Sequence, residues 1–362
     1  MMRLPHFTYR SPTTVREAAE LLAAPGGAML VAGGTDLLPN MKRRQQVPRT
    51  LIGLRRVTAL RAISAGPQGA ALHVAGATHA SDAGRVLSDP ALTIGAGVTL
   101  TELVRDPRVR ESYGALWQAS SQVATPHLRN MGTLGGNLCL DTRCNYYDQN
   151  YEWRKSIDFC MKKDGKICWV ATSSAKCLAV SSTDTAPALL ALGAQVTLVS
   201  ANGTRQVAAS DLYQNDGIHY LTRRPDEILT AVHIPSTAGW RSVYWKLRRR
   251  GSFDFPVLSV AAAAKFADDD TVEVARIILG AVASQPIDAS AAAATLIGHR
   301  LTDELIAHAA DTAATPAKPM DNTDFDLTWR KRVMKDVVTY ALRELRGDDV
   351  REWRRKISRQ LL

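Results

Sequence analysis

The sequence predicts an α+β fold divided into more than one domain, and three observations predict it. The chain has 362 residues, 46% hydrophobic and 22% charged, the composition of a folded globular protein that is too long for a single core. In the first part of the chain, short apolar strands alternate with amphipathic helical stretches and glycine turns. Beyond "PSTAG" at 235–239, three long strand-like stretches precede two helix-like ones, the pattern of a sheet covered by helices.

Residues 1–60 place the helix TVREAAELLAA among the strands MLVAGG and TLIGL, an α/β unit. Residues 61–235 form a second unit. It opens with an internal echo, "LHVAGATHASDAGRVLSDP" then "LTIGAGVTLTELVRDPRV", each reading strand, turn and short amphipathic segment. A helix over roughly 109–124 follows, then the helix DTAPALLALG and the strands AQVTLVS and EILTAVHIP. A boundary is expected at Pro235–Gly239. Residues 236–346 carry the strands SVYWKLR, VLSVAAAAKFA and EVARIILGAV and helices at 302–313 and 324–346; residues 347–362 read as a basic tail.

The net charge is +10, with basic residues grouped in RKSID, KLRRRG, WRKRVMK and REWRRK. None of these matches a nucleic-acid-binding motif, so a solvated or partner-facing basic surface is expected and no nucleic acid. The N-terminus lacks the roughly 7–15-residue apolar core of a signal peptide. No run of about 18 apolar residues crosses a membrane, and a cytoplasmic protein is expected. Neither a Ser-His-Asp set nor HExxH is visible, so hydrolase chemistry has no support and no catalytic residue is assigned.

Two features carry chemistry. Cys144, Cys160, Cys168 and Cys177 lie within 34 residues, with gaps of fifteen, seven and eight, and Cys139 is the only other cysteine. Disulfides are disfavoured in a reducing compartment, and the tight C-x2-4-C knuckles usual in structural zinc sites are missing. A 4Fe–4S cluster tolerates wide spacing if the loop wraps it, and Tyr146, Tyr147, Tyr151, Trp153, Phe159 and Trp169 could supply the wrapping. Spacing alone leaves the cluster and a set of simply buried thiols both open. The second feature is a pair of glycine turns, "LVAGGTDLLPN" and "NMGTLGGNL". Neither is a GxGxxG fingerprint or a P-loop. Each alone reads as an ordinary turn; together they suggest one cofactor diphosphate held between two loops of exposed amides.

"AGGTDLL", "RNMGTLGGNL", "STDTAPALLALGAQVTL" and "DEILTAVHIP" resemble the FAD-binding subunit of the molybdenum hydroxylases, the xanthine and carbon monoxide dehydrogenase group, from about residue 5 to about residue 345. Most members carry no cysteine loop on this subunit; the loop here resembles that of the 4-hydroxybenzoyl-CoA reductase β subunit. The resemblance implies a two-subdomain FAD-binding domain of the vanillyl-alcohol oxidase/PCMH type, with an iron–sulfur loop inserted at about 139–180 and an α+β C-terminal domain. It implies a first FAD loop at Val31, Ala32, Gly33, Gly34, Thr35, Asp36, Leu37 and Leu38, and a second at Thr133, Leu134, Gly135, Gly136 and Asn137. Asp184 matches an acidic residue at the flavin nucleotide, and Lys246 a lysine near the flavin ring. Cys144, Cys160, Cys168 and Cys177 match 4Fe–4S ligands, leaving Cys139 as a small buried residue beside the flavin loop.

The echo at 73–92 departs from that family's single copy, so no FAD contact is assigned there. The implied partners are a large subunit with the molybdenum cofactor and a small subunit with 2Fe–2S clusters, assembled as a dimer of heterotrimers. A ferredoxin-like donor would pass electrons through 4Fe–4S and FAD to molybdenum, where an aromatic acyl-CoA loses its phenolic hydroxyl. Arg154, Lys155, Lys162, Lys163, Lys166 and Lys176 would form its docking patch. Two alternatives stand beside this: an aldehyde or N-heterocycle hydroxylase running electrons outward to another acceptor, and a zinc-stabilised basic binding protein whose glycine turns are merely turns. His127 is read as a structural histidine, His79 is left unassigned, and Arg248, Arg249 and Arg250 are read as a solvated or interface run.

Overall fold

The computed structural model describes residues 3–66, 91–251, 253–323 and 325–359. His79 and nearly all of the echo at 73–92 lie outside the described residues. Three sheets organise the chain. In the first, β1 (Thr8–Arg10), β2 (Ala28–Val31) and β3 (Thr50–Gly53) run parallel in the order β1-β3-β2. Parallel pairing needs crossovers, and α1 (Val15–Ala23) and α2 (Leu37–Lys42) accompany them. Thr14 caps α1 by accepting from the Glu17 amide, and Val15, Ala18 and Ala19 make its buried stripe.

The second sheet is antiparallel: β4 (Ile63–Ala65), β5 (Leu92–Gly95), β6 (Gln195–Ser200), β7 (Gly203–Ala208) and β8 (Ile228–Ile234), in the order β4-β5-β8-β6-β7. β8 is central and buried along its whole length, which is why its sequence reads as a continuous apolar run. Between β5 and β6 come α3 (Leu100–Arg105), α4 (Pro107–Ser112), α5 (Gly114–Ser121), α6 (Pro126–Arg129), α7 (Leu134–Leu138), α8 (Tyr151–Ser156) and α9 (Thr185–Ala191). The single helix expected over 109–124 is thus two, parted at Tyr113. Gly114 starts the second, where a Cβ would come within 2.7 Å of Ser242 O.

The third sheet holds β9 (Trp240–Leu247), β10 (Leu258–Phe266), β11 (Val272–Gly280) and β12 (Ile287–Asp288), antiparallel in the order β12-β11-β10-β9. One face packs Trp245, Leu258, Val260 and Leu279 against α12 (Leu327–Arg346), which supplies Met334, Val337, Val338 and Leu342. α10 (Ser290–Leu296) and α11 (Asp303–Ala313) complete that layer. The other face, with Tyr244, Ala261 and Ala263, meets Ala115 and Ala119 of α5 and Ala188 and Ala191 of α9. Small residues on both sides let this sheet lie close against the helices of the second unit.

The segment expected as a basic tail is instead largely α13 (Arg351–Arg359). Gly347, left-handed at φ 109°, ends α12, and Val350, Trp353 and Ile357 then turn one face onto the third core. Among the described residues no helix is long and apolar enough to cross a membrane.

Candidate functional site

The two glycine turns meet. A Cβ on Gly33 would overlap the Met131 carbonyl, and one on Gly132 would lie 3.6 Å from Thr35 Oγ1. Gly34 is left-handed at φ 71°, so the chain leaves β2, half-buried at Val31, and enters α2 at Leu37–Leu38 through a conformation that glycine adopts at little cost. Among the described residues, the amides of Gly33, Gly34, Thr35 and Asp36 donate to no other group of the chain. This first turn therefore offers a run of free backbone donors, a cradle fit for an anion.

The second turn is spent differently. Leu134 N donates to Val98 O and Gly135 N to Ala96 O, both at 2.9 Å, while the Thr133 hydroxyl accepts from Gly136 N at 3.1 Å. A Cβ on Gly135 would lie 2.6 Å from Ala96 Cβ, so the turn is pressed against the segment after β5. Expected as a second set of exposed amides, it is mainly a brace. Asn137, expected in the same loop, turns inward: its Oδ1 accepts from Thr183 Oγ1 (2.8 Å), Thr185 N (3.1 Å) and Thr185 Oγ1 (2.7 Å). It ties the second turn to the segment bearing Asp184.

Asp184 and Lys246, distant in sequence, are a buried ion pair. Lys246 Nζ lies 3.0 Å from Asp184 Oδ2, with side chains 0% and 4% exposed. The Tyr244 hydroxyl donates to Asp184 Oδ1 at 2.7 Å, and Lys246 also donates to Gln122 O at 3.0 Å. Burial pushes the Asp184 carboxyl up and the Lys246 ammonium down, each opposed by the other's charge. Sequence reasoning gave both residues to the cofactor and missed that they hold each other, because nothing local marks a partner 62 residues away.

The cysteine loop folds into a chamber. Cys144, Cys160, Cys168 and Cys177 line one cavity with Tyr146, Tyr147, Met161, Lys162, Trp169, Val170 and Ala179. All four are buried, and none of the five cysteines is in a disulfide. Burial pushes the Cys144 thiol up to about 12 and the Cys177 thiol up to about 11. The Lys162 charge works against that push at Cys160 and Cys177. Among the described residues, no three His, Cys, Asp or Glu side chains are gathered as a single metal ion would need. Asp158 and Phe159 are left-handed at φ 57° and 59° just before Cys160, and Asp164 follows at 71°. Non-glycine residues seldom adopt this conformation, and three within seven residues re-aim the chain tightly around the thiols.

Tyr146, Tyr147 and Trp169 pack on the thiols as expected, but Tyr151 and Trp153 face solvent at 40% and 38% exposure. The docking patch expected from charge alone is also reduced. Arg154 is fully buried, with its guanidinium donating to Arg43 O at 2.8 Å and lying 5.9 Å from the Phe159 ring. Lys162 is sequestered with Asp141 at 2.8 Å. Cys139 is half-buried at the end of α7, His127 is exposed, and Arg250 pairs with Asp254 at 3.0 Å.

The chamber and the first glycine turn share a joint that sequence reasoning did not find. Arg143, buried just before Cys144, pairs with Asp36 of the turn and, at 3.3 Å, with Asp148 of the loop. Asp148 in turn accepts from the Cys144 amide at 3.1 Å. Tyr147 makes a second link, its hydroxyl donating to Asp141 Oδ2 at 3.0 Å while its carbonyl accepts from Gln45, just beyond α2.

Comparison with known proteins decides the family. The family described as "FAD binding domain in molybdopterin dehydrogenase" matches residues 5–90 and 84–237. This chain belongs to that family. The two matched segments overlap inside the stretch read as an extra copy, and the family "CO dehydrogenase flavoprotein C-terminal domain" matches residues 242–345. The aldehyde oxidoreductase FAD-binding subunit PaoB of Escherichia coli is 33% identical over 346 residues, covering 92% of this chain and 98% of that one. The nicotinate dehydrogenase FAD-subunit of Eubacterium barkeri is 27% identical, over 82% of each chain. Carbon monoxide dehydrogenase from Hydrogenophaga pseudoflava superposes with a TM-score of 0.73 at 25% identity, covering 95% of this chain and 98% of that one. The chain is therefore an FAD-binding oxidoreductase subunit of the molybdenum hydroxylase type, with that family's mixed α/β fold.

Proposed function

We propose that this subunit carries electrons between FAD and a 4Fe–4S cluster held by Cys144, Cys160, Cys168 and Cys177. The observation that carries the reading is the single chamber lined by all four thiols, joined through Arg143 to the first glycine turn. Four cysteines around a space, with no tight set at one point, suit the corners of a cuboidal cluster better than a mononuclear ion. Bound FAD supplies both one- and two-electron redox chemistry. Toward it, Gly33, Gly34, Thr35 and Asp36 offer amides to the diphosphate, while Val31, Ala32, Leu37 and Leu38 flank the turn. Thr133, Leu134, Gly135, Gly136 and Asn137 anchor the second turn to the segment after β5 and to the segment bearing Asp184. Asp184 fixes the Lys246 charge at 3.0 Å.

The partners in this reading are a molybdenum-bearing large subunit and a 2Fe–2S small subunit, as a dimer of heterotrimers, with domain divisions near residues 60 and 235. The named relatives are an aldehyde oxidoreductase and a nicotinate dehydrogenase, which favours the oxidative direction: an aldehyde or N-heterocycle oxidised at the large subunit, electrons leaving through this chain. The reductive reading, with a ferredoxin-like donor and an acyl-CoA such as 4-hydroxybenzoyl-CoA, is favoured by the cysteine gaps of fifteen, seven and eight. Metal and flavin analysis of the anaerobically purified complex tests the first claim. About four irons per chain beyond those of the 2Fe–2S small subunit, with one FAD, are expected; FAD with zinc and no iron beyond the small subunit's would refute the cluster. Turnover of aldehydes and N-heterocycles against reduction of 4-hydroxybenzoyl-CoA separates the two directions.

A further inference from the structure

We propose that Lys162 is a built-in electrostatic control on the thiol chamber, raising the reduction potential of the cluster assembled there. This rests on the cluster reading above and goes beyond it by naming what tunes the site. Among the described residues lining the chamber, Lys162 is the only one other than the thiols themselves that brings a charge to it. Its side chain is 6% exposed, so the ammonium is not a surface charge. Three acceptors match its three donors: Asp141 Oδ1 at 2.8 Å, Thr142 Oγ1 at 2.7 Å and Gly217 O at 2.6 Å. The rings of Tyr147 and Tyr220 stand 4.8 and 5.5 Å from it.

Asp141 and Thr142 belong to the strip between the second glycine turn and the chamber, and Tyr147 lines the chamber itself. Gly217 presses on the Cys177 thiol directly, since a Cβ there would lie 2.7 Å from Cys177 Sγ. Its amide donates to Cys177 O at 2.9 Å. A long, flexible side chain is thus locked at one point beside the sulfurs. Two of its three acceptors are neutral, and the Asp141 charge is itself shared with the Tyr147 hydroxyl at 3.0 Å. One electron arriving from reduced flavin, or from dithionite in the test, adds one negative charge to the chamber and makes or breaks no bond. A fixed cation in a dry wall favours that added charge.

The test is an EPR-monitored redox titration of the anaerobically purified complex carrying Lys162→Met, Lys162→Arg or Asp141→Asn, with iron measured on each. Lys162→Met with full iron is expected to lower the reduced-to-oxidised ratio at fixed potential by about tenfold, or about 59 mV for a one-electron couple. Lys162→Arg is expected to stay near the wild-type value. An unmoved potential in iron-loaded Lys162→Met, or an equal fall in Lys162→Arg, would overturn the inference. If Lys162→Met cannot hold iron, Asp141→Asn decides: a raised potential supports the control, and an unchanged or lowered one overturns it. Wild-type complex with no iron beyond that of its 2Fe–2S small subunit would overturn the cluster reading and this inference with it, whereas iron-loaded variants with unmoved potentials would overturn this inference alone.

Discussion

Gly33 and Gly135 are fixed by what they lack: Met131 O and Ala96 Cβ stand where a side chain would begin. The neighbouring cysteine loop is fixed by what its side chains reach, with Tyr147 tied to Asp141, Lys162 to Gly217, and Arg143 to Asp36 and Asp148. The first region is a backbone surface that tolerates no added atoms. The second is a side-chain scaffold that tolerates no removed ones. Adjacent regions of one chain can therefore fail in opposite ways, and substitutions can separate them.

The largest effect is expected from Gly33→Val. Its Cβ collides with backbone, which cannot swing aside, so a loss of about 4 kcal/mol or more in denaturant unfolding is expected, with flavin content falling alongside. Stability close to wild type would break the contrast at once. Next comes Lys246→Met, which strands the Asp184 carboxylate in the interior at a cost of about 3–5 kcal/mol. Adding Asp184→Asn should recover part of that loss, and a double variant no better than the single would show that the pair is not the source. Third, if Cys160 is a ligand of the proposed cluster, Cys160→Ser should lower the iron bound by this chain while leaving FAD at one per chain, with about 1–2 kcal/mol lost in thermal unfolding. Loss of flavin in equal measure would mean that the two sites are one. Smallest is Trp153→Ser on the exposed face of α8: within about 0.5 kcal/mol in stability and no change in iron. A fall in iron there would place the chamber's support further out than Tyr147 and Trp169.

The sequence carried the glycine turns, the four cysteines and the third sheet, because each is written in local pattern: special backbone, rare residues, alternation. It hid other features for physical reasons. Lys162 reads as one more lysine of a partner-docking patch in a basic loop, and only the fold shows that three oxygens surround it. The Asp184–Lys246 pair joins α9 to β9, and no short-range spacing encodes such a contact. α13 was masked by its arginines, although Val350, Trp353 and Ile357 keep helical spacing beneath them. β7 escaped for a subtler reason: it is half-buried at every position, so it lacks the in–out alternation that marks a strand.

The anchoring of the cysteine loop has a consequence for protein engineering. Gln45 reaches it from beside the first sheet, Gly217 from the second unit, and Asn322 from the third, where its carbonyl accepts from Asn145 N at 3.1 Å and its amide donates to Leu178 O at 2.6 Å. A loop held in this way is not a portable cassette. Grafting residues 143–180 onto a relative without the loop would move the thiols and leave the mortises behind, so the host must also be given the receiving groups at Gln45, Gly217 and Asn322.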